Sequence, residues 1–209
     1  MIFKNKKELI NSVLDGHEKV LDVGFWGQGV EHGSDNWVHK LIKDKGVDLY
    51  GIDLQFDRSV FSDENRYFFS NAEDFDFKNT FDVIFAGDLI EHLSNPGLFL
   101  ESCQKSLKSG GVLILTTPNT FNLFNIAGKI TNSDPVVNYD HTMYLNPKTI
   151  TRLLDKNNFE VANIHYLYTL GFIHKESIKK KVLNVFYKIL SIFTPKFSET
   201  MVVIAKIKS

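Results

Sequence analysis

Two groups of residues have the types and spacing that chemistry uses. In GDLIEHL, Asp88, Glu91 and His92 stand at i, i+3 and i+4. On a helix these three positions share one face. About fifty residues further on, NYDHTMYL adds His141. Two carboxylates and two histidines make an oxygen–nitrogen set suited to a divalent cation. Without a metal, His92 or His141 can act as general base and take the proton from a hydroxyl nucleophile. The second group is Gly24, Gly27 and Gly29 in KVLDVGFWGQG, followed by Asp53 at the end of YGIDL. Glycine reaches positive φ and lets backbone come within contact distance of a ligand. An acidic side chain after the next strand can accept the hydrogen bonds of a ribose diol. Together these describe a nucleotide site with a reacting end beside it. The third glycine of a dinucleotide fingerprint is missing, because position 32 is His32 and a count from Gly24 fails at Trp26.

Such residues need elements to position them. Short runs rich in Val, Ile and Phe alternate with helical segments, the pattern of a parallel sheet covered on both faces. Strands are expected at 19–23, 49–53, 67–70, 81–86, 112–117, 159–168 and 200–207. Helices are expected at 4–14, 36–45, 96–108, from Pro147 onward, and at 175–193. Asn95-Pro96 and Asn146-Pro147 each read as an N-cap followed by proline at the first helical position. The connection 120–147 is long enough to serve as a lid. Its Phe121, Phe124, Tyr139 and Tyr144 are candidate acceptor contacts. The 175–193 helix opens with Lys175 and Lys179 to Lys181 and carries an apolar stripe through Phe186 and Phe193. That pattern fits packing on its own domain, or peripheral contact with a membrane surface or a partner.

Composition sets the limits. The 209 residues suffice for one α/β domain. With 24 basic against 25 acidic residues, no global charge draws the chain to nucleic acid or an anionic membrane. Cys103 is the single cysteine, which excludes an intrachain disulfide and places it in the core of helix 96–108. No apolar stretch is long enough to span a bilayer, and the N-terminus lacks the features of a secretory signal. The expected compartment is therefore cytoplasmic. His17, His39 and His165 read as surface or structural histidines. Phenylalanine is unusually frequent, at 18 residues.

Five segments, in order, resemble the class I S-adenosylmethionine (SAM)-dependent methyltransferases. LDVG, with Asp22 two positions before Gly24, resembles the first motif, and GIDL resembles the ribose-binding second. SNAEDFDF resembles the segment after the third strand, where Asn71, Ala72 and Glu73 would hold the adenine. FDVIFAGDLIEHL and LKSGGVLILTTPN resemble the fourth and fifth strands. The loop departs from the family's G-x-G-x-G, since Phe25-Trp26 stands between the first two glycines.

The resemblance implies a Rossmann-like α/β fold: a seven-stranded, mostly parallel sheet with an antiparallel last strand and helices on both faces. It implies one domain over 1–209, with a cofactor half at 19–119, an acceptor lid at 120–147 and a helical insertion at 169–199. SAM would be the cofactor, held by Asp22, Gly24, Phe25, Gly27, Gly29, Asp53, Leu54, Asn71, Ala72, Glu73 and Gly87. His92 and His141 would be catalytic. The Asp-x-x-Glu-His pattern also resembles two metal-using branches, the small-RNA 2′-O-methyltransferases and the O-methyltransferases of ubiquinone synthesis. There Asp88, Glu91, His92 and His141 would hold a divalent cation, although the RNA enzymes carry Glu where this chain has Asp88. The expected reaction is methyl transfer to an oxygen of a small molecule, sugar or lipid-linked precursor. Alternatives are metal-assisted RNA 2′-O-methylation, an NAD-dependent oxidoreductase disfavoured by the glycine spacing, and a non-catalytic SAM-binding protein. Oligomeric state stays open.

Overall fold

The computed structural model describes residues 1–16, 18–27, 30–61, 63, 65–130, 138–168 and 194–208. Its strands are β1 (Ile2–Phe3), β2 (Lys19–Val23), β3 (Asp48–Asp53), β4 (Tyr67–Phe69), β5 (Phe81–Gly87), β6 (Leu107–Pro118), β7 (Phe159–Leu167) and β8 (Thr200–Ile207). They form one sheet in the order β1-β7-β8-β6-β5-β2-β3-β4. Every neighbouring pair is parallel except those of β8, which runs antiparallel to both β6 and β7. Among the described residues the sheet thus has eight strands, not seven. The addition is β1, which pairs with β7 through Ile2 and Phe3. Two residues are too few to show alternation, so no sequence pattern announces it.

The chain runs outward from β2 through β3 to β4, then crosses back to β5 and continues through β6. The order therefore reverses between β2 and β5. In open α/β sheets the ligand crevice lies outside the carboxyl ends of the strands at such a reversal. Both faces of these strands are buried, which is why they read as near-continuous apolar runs. Leu21, Val23, Ile84 and Ala86 belong to one core cluster, and Val20, Val83 and Phe85 to the other.

The helices are α1 (Lys6–Val13), α2 (Val38–Lys43), α3 (Pro96–Ser106), α4 (Leu123–Ile130) and α5 (Pro147–Lys156). Asn95 Oδ1 accepts from Leu98 N at the start of α3, as its sequence suggests. Asn146 and Thr149 form a reciprocal capping box on α5. Helix α3 stops earlier than expected because Leu107 already pairs with Phe81 as part of β6. Helix α4 falls inside the expected lid, where Asn122 caps it by accepting from Asn125 N. The remainder of the lid at 131–137, the expected 175–193 helix, Gly29 and His17 lie outside the described residues. No helix among the described residues is long and apolar enough to cross a membrane.

Candidate active site

Strands β4, β3, β2 and β5 lie side by side, and the segment leaving each carries an expected cofactor residue. Asn71 follows β4, Asp53 ends β3, Gly24 follows β2 and Gly87 ends β5. Gly24 has φ +74°, and its N–H donates to Ile52 O at 2.8 Å. A Cβ there would also meet Leu89 Cδ1 at 3.0 Å, so both backbone and space demand glycine. Gly27 has φ +66° and open space where a side chain would stand.

Asp53 accepts Trp26 N–H at Oδ2 (3.0 Å) and Gln55 N–H at Oδ1 (3.2 Å). The carboxylate expected to meet ribose therefore anchors the lengthened loop. Leu54 beside it is largely exposed. Asn71 Oδ1 accepts from Glu73 N, and Glu73 Oε1 accepts from Asn95 N at 2.7 Å, which ties the segment after β4, where adenine contacts are expected, to the cap of α3. Ala72 packs against the main core.

Two expected cofactor residues point their side chains inward. Strand alternation puts Asp22 on the side of Val20, away from Leu21 and Val23. It is 3% exposed and accepts from His39 Nδ1 at 2.9 Å. Burial raises its carboxyl pKa, and the His39 contact opposes that rise. The Phe25 ring is also 3% exposed, inside an aromatic cluster with Trp37, Phe56 and Tyr67. What Phe25 can offer a cofactor is backbone, and its carbonyl already accepts from Trp37 Nε1 at 2.8 Å.

At the reacting end the single helical face expected for Asp88, Glu91 and His92 does not form. Asp88 takes φ +49°, and the next turn, Ile90–His92, is a 3₁₀ turn. Asp88 instead bonds Thr116, donating from N to both its oxygens and accepting from Oγ1 at 3.0 Å. Its Oδ2 lies 3.8 Å from Lys6 Nζ. The three groups that do come together are Glu91, His92 and His141, whose possible ligand atoms lie within 4.8 Å of one another. The two imidazoles meet edge to face with centroids 4.6 Å apart. Thr142 holds this arrangement by donating from N and Oγ1 to Glu91 O, and from Oγ1 to Leu93 O.

Glu91 is 2% exposed. Its Oε2 accepts from Thr117 Oγ1 at 3.0 Å, whereas its buried Oε1 has no hydrogen-bond partner among the described residues. Burial, reinforced by Asp88, pushes its carboxyl up to about 8. Burial and the neighbouring His92 hold His141 below the usual imidazole range. At neutral pH the site thus pairs a protonated carboxyl with an unprotonated imidazole. Exposed rings of Phe121, Tyr139 and Tyr144 lie on the flanking segments, which are joined by the bond from Thr120 N to Leu145 O. The Phe124 side chain lies outside the description.

Sequence reasoning missed Thr116 and Thr117, although two hydroxyls closing an apolar strand ask what partner they bond. It also missed Gly51. A Cβ at Gly51 would stand 2.7 Å from Phe25 Cδ1, the close approach that a glycine inside a strand signals.

A profile of the methyltransferase domain family matches residues 5–164. The chain belongs to this family. With the five motifs on their expected strand ends, it is a class I SAM-dependent methyltransferase, which sets aside the nicotinamide alternative. A ubiquinone biosynthesis O-methyltransferase of Aliivibrio fischeri (strain MJ11) is 26% identical over 177 residues, covering 74% of this chain and 72% of that protein. In structure, a SAM-dependent methyltransferase from Archaeoglobus fulgidus superposes with TM-score 0.63 at 19% identity, covering 96% and 92% of the two chains. A Burkholderia thailandensis 1,6-didemethyltoxoflavin-N1-methyltransferase, crystallised with its acceptor and S-adenosylhomocysteine, gives TM-score 0.61 at 13% identity. It covers 98% of this chain and 77% of that one. The described residues suit SAM. Gly27 leaves backbone open to a ligand, and Asp53, half-buried at the strand end, keeps acceptor capacity beyond its loop bonds.

Proposed function

We propose that this methyltransferase acts on a hydroxyl oxygen of a small organic acceptor, with Glu91, His92 and His141 forming the acceptor side of the site. When bound, SAM supplies an electrophilic methyl on a sulfonium. The protein's task is to align the oxygen with that methyl and remove the oxygen's proton. His141 suits proton removal, because burial and His92 keep its imidazole unprotonated near neutrality. His92 stands beside it to receive or orient the same hydroxyl. The observation that carries this reading is the convergence of the three groups at the sheet's switch point. The likeness to an O-methyltransferase supports oxygen as the acceptor atom.

A second reading uses the same residues. Two imidazole nitrogens and a carboxylate oxygen within 4.8 Å of one another form a donor set for a divalent cation. The unpartnered Glu91 Oε1 favours it, because a cation would satisfy that atom. The cation would lower the acceptor hydroxyl's pKa in place of a base. One experiment separates the two: methyl transfer from labelled SAM to a panel of phenols, catechols and sugars, with and without chelator. In the base reading chelation leaves turnover intact, and His141→Ala lowers it about 100-fold or more with little change in S-adenosylhomocysteine (SAH) affinity. Turnover lost on chelation and restored by added metal selects the cation. Label recovered on nitrogen or carbon, with none on oxygen, overturns the hydroxyl acceptor.

A further inference from the structure

The lengthened cofactor loop rests on a buried polar chain that its glycines do not explain. Tyr67 Oη lies 3.2 Å from His39 Nε2, and His39 Nδ1 lies 2.9 Å from Asp22 Oδ2. With a carboxylate as acceptor, Nδ1 carries the proton and Nε2 faces the hydroxyl. His39 is 1% exposed, and its ring touches Phe25, Trp37, Tyr67 and Phe61 at centroid distances of 4.8, 5.2, 5.5 and 6.1 Å. A leucine would fill an aromatic pocket without the cost of burying an imidazole. The histidine does what leucine cannot: it satisfies a carboxylate two residues before Gly24, at the point where strand becomes loop.

Both residues between the first two glycines are also pinned from this side. Phe25 O accepts from the Trp37 indole, and the Phe25 ring lies against Gly51 and His39. Trp26 donates to Asp53, its carbonyl lies 2.7 Å from His32 Nε2, and its ring stacks on His32 at 3.6 Å. We propose that His39 is a positioning residue for the cofactor. Through Asp22 and Phe25 it fixes the path of the loop, so that Gly24 and Gly27 present their backbone to SAM. The proposal rests on the SAM-dependent reading of the site.

The test is SAH binding by calorimetry and by tryptophan emission. The chain's 2 tryptophans, Trp26 and Trp37, both lie in this cluster, so their emission reports the loop itself. Wild type is compared with His39→Leu, with His39→Asn, whose amide nitrogen can take the Nδ1 position, and with Leu154→Ala in α5. The last destabilises a part of the core remote from the loop. His39→Leu is expected to weaken SAH about tenfold or more, with the emission change on binding diminished. His39→Asn should recover part of that loss, and Leu154→Ala should lower Tm without changing affinity. Wild-type affinity in His39→Leu overturns the proposal, as does an equal loss in all three variants. If His39→Leu does not fold, Tyr67→Phe decides by removing one hydroxyl from the chain. Weaker SAH binding or an altered emission change supports the proposal, and wild-type behaviour in both overturns it. Failure of wild type itself to bind SAH would instead strike the SAM-dependent reading.

Discussion

Replacing Glu91 by Gln should make the protein more stable at alkaline pH while lowering methyl transfer. The carboxyl is 2% exposed, with one oxygen on Thr117 and the other unpartnered. In the unfolded chain it titrates near 4.5, whereas burial and Asp88 raise it to about 8 in the native state. Below 4.5 the group is neutral in both states and costs nothing. As pH rises from there, the unfolded chain releases the proton and the folded one retains it. Native stability therefore falls by about 1.36 kcal/mol per pH unit until the folded group ionises near 8. The full window corresponds to at most about 5 kcal/mol, and inward movement of water on ionisation will reduce it. Glutamine keeps an acceptor for Thr117 and removes the titration. Urea unfolding of both proteins from pH ~5 to ~9 should show the Glu91→Gln advantage growing by about 2–4 kcal/mol. The difference between the two is the diagnostic, because groups common to both proteins cancel in it; Asp82 and Asp155, lowered by their lysine partners, are ionised in both the folded and unfolded states across this range and add no slope. A stability difference that does not change with pH would refute a buried, protonated Glu91.

Two further substitutions test the frame around the site. Gly51→Ala places a Cβ 2.7 Å from Phe25 Cδ1, so it should cost about 1–3 kcal/mol in unfolding experiments and weaken SAH in calorimetry by displacing the loop. Asn146→Ala removes the acceptor for Lys148 N and Thr149 N, and should cost about 1 kcal/mol by chemical denaturation while leaving SAH affinity unchanged.

Much of this site was legible because its signals are local. Glycines at 24 and 27 report backbone conformations that other residues avoid, and the structure gives both positive φ. Asn95 and Asn146 announce helix starts through side chains that bond within their own turn. Of the four residues expected to converge after β5, Glu91, His92 and His141 do come together and Asp88 does not. The i, i+3, i+4 argument assumes helix from Asp88 onward, and that assumption fails at one residue. Asp88 sits at φ +49°, where Thr116 bonds both its N–H and its carboxylate, so it leaves the face that Glu91 and His92 share with His141. Thr116 lies 28 residues away in sequence, and no local pattern encodes that contact. Strand β1 and helix α4 escaped for different reasons. The first is too short for periodicity, and the second lies in a long connection of mixed apolar and polar residues that reads as lid.

Three of the 18 phenylalanines and the extra loop residue share one physical explanation. A one-residue extension of a glycine loop adds freedom that must be lost again when a ligand binds, at about 1–2 kcal/mol of backbone entropy. Pinning the insertion in the unbound protein moves that loss from binding into folding, where a packed core can offset it. Phe25, Phe56 and Phe61 with Trp26, Trp37 and Tyr67 supply such a core beside the strand ends, away from the two larger apolar clusters. Aromatic rings suit this because each buries a large area with few rotatable bonds. The polar atoms introduced with them are paired: Trp37 Nε1 on Phe25 O, Trp26 N on Asp53, and His39 on Asp22. The departure from the family's usual loop thus carries its own support, and that support ends on the Asp53 carboxylate at the end of β3.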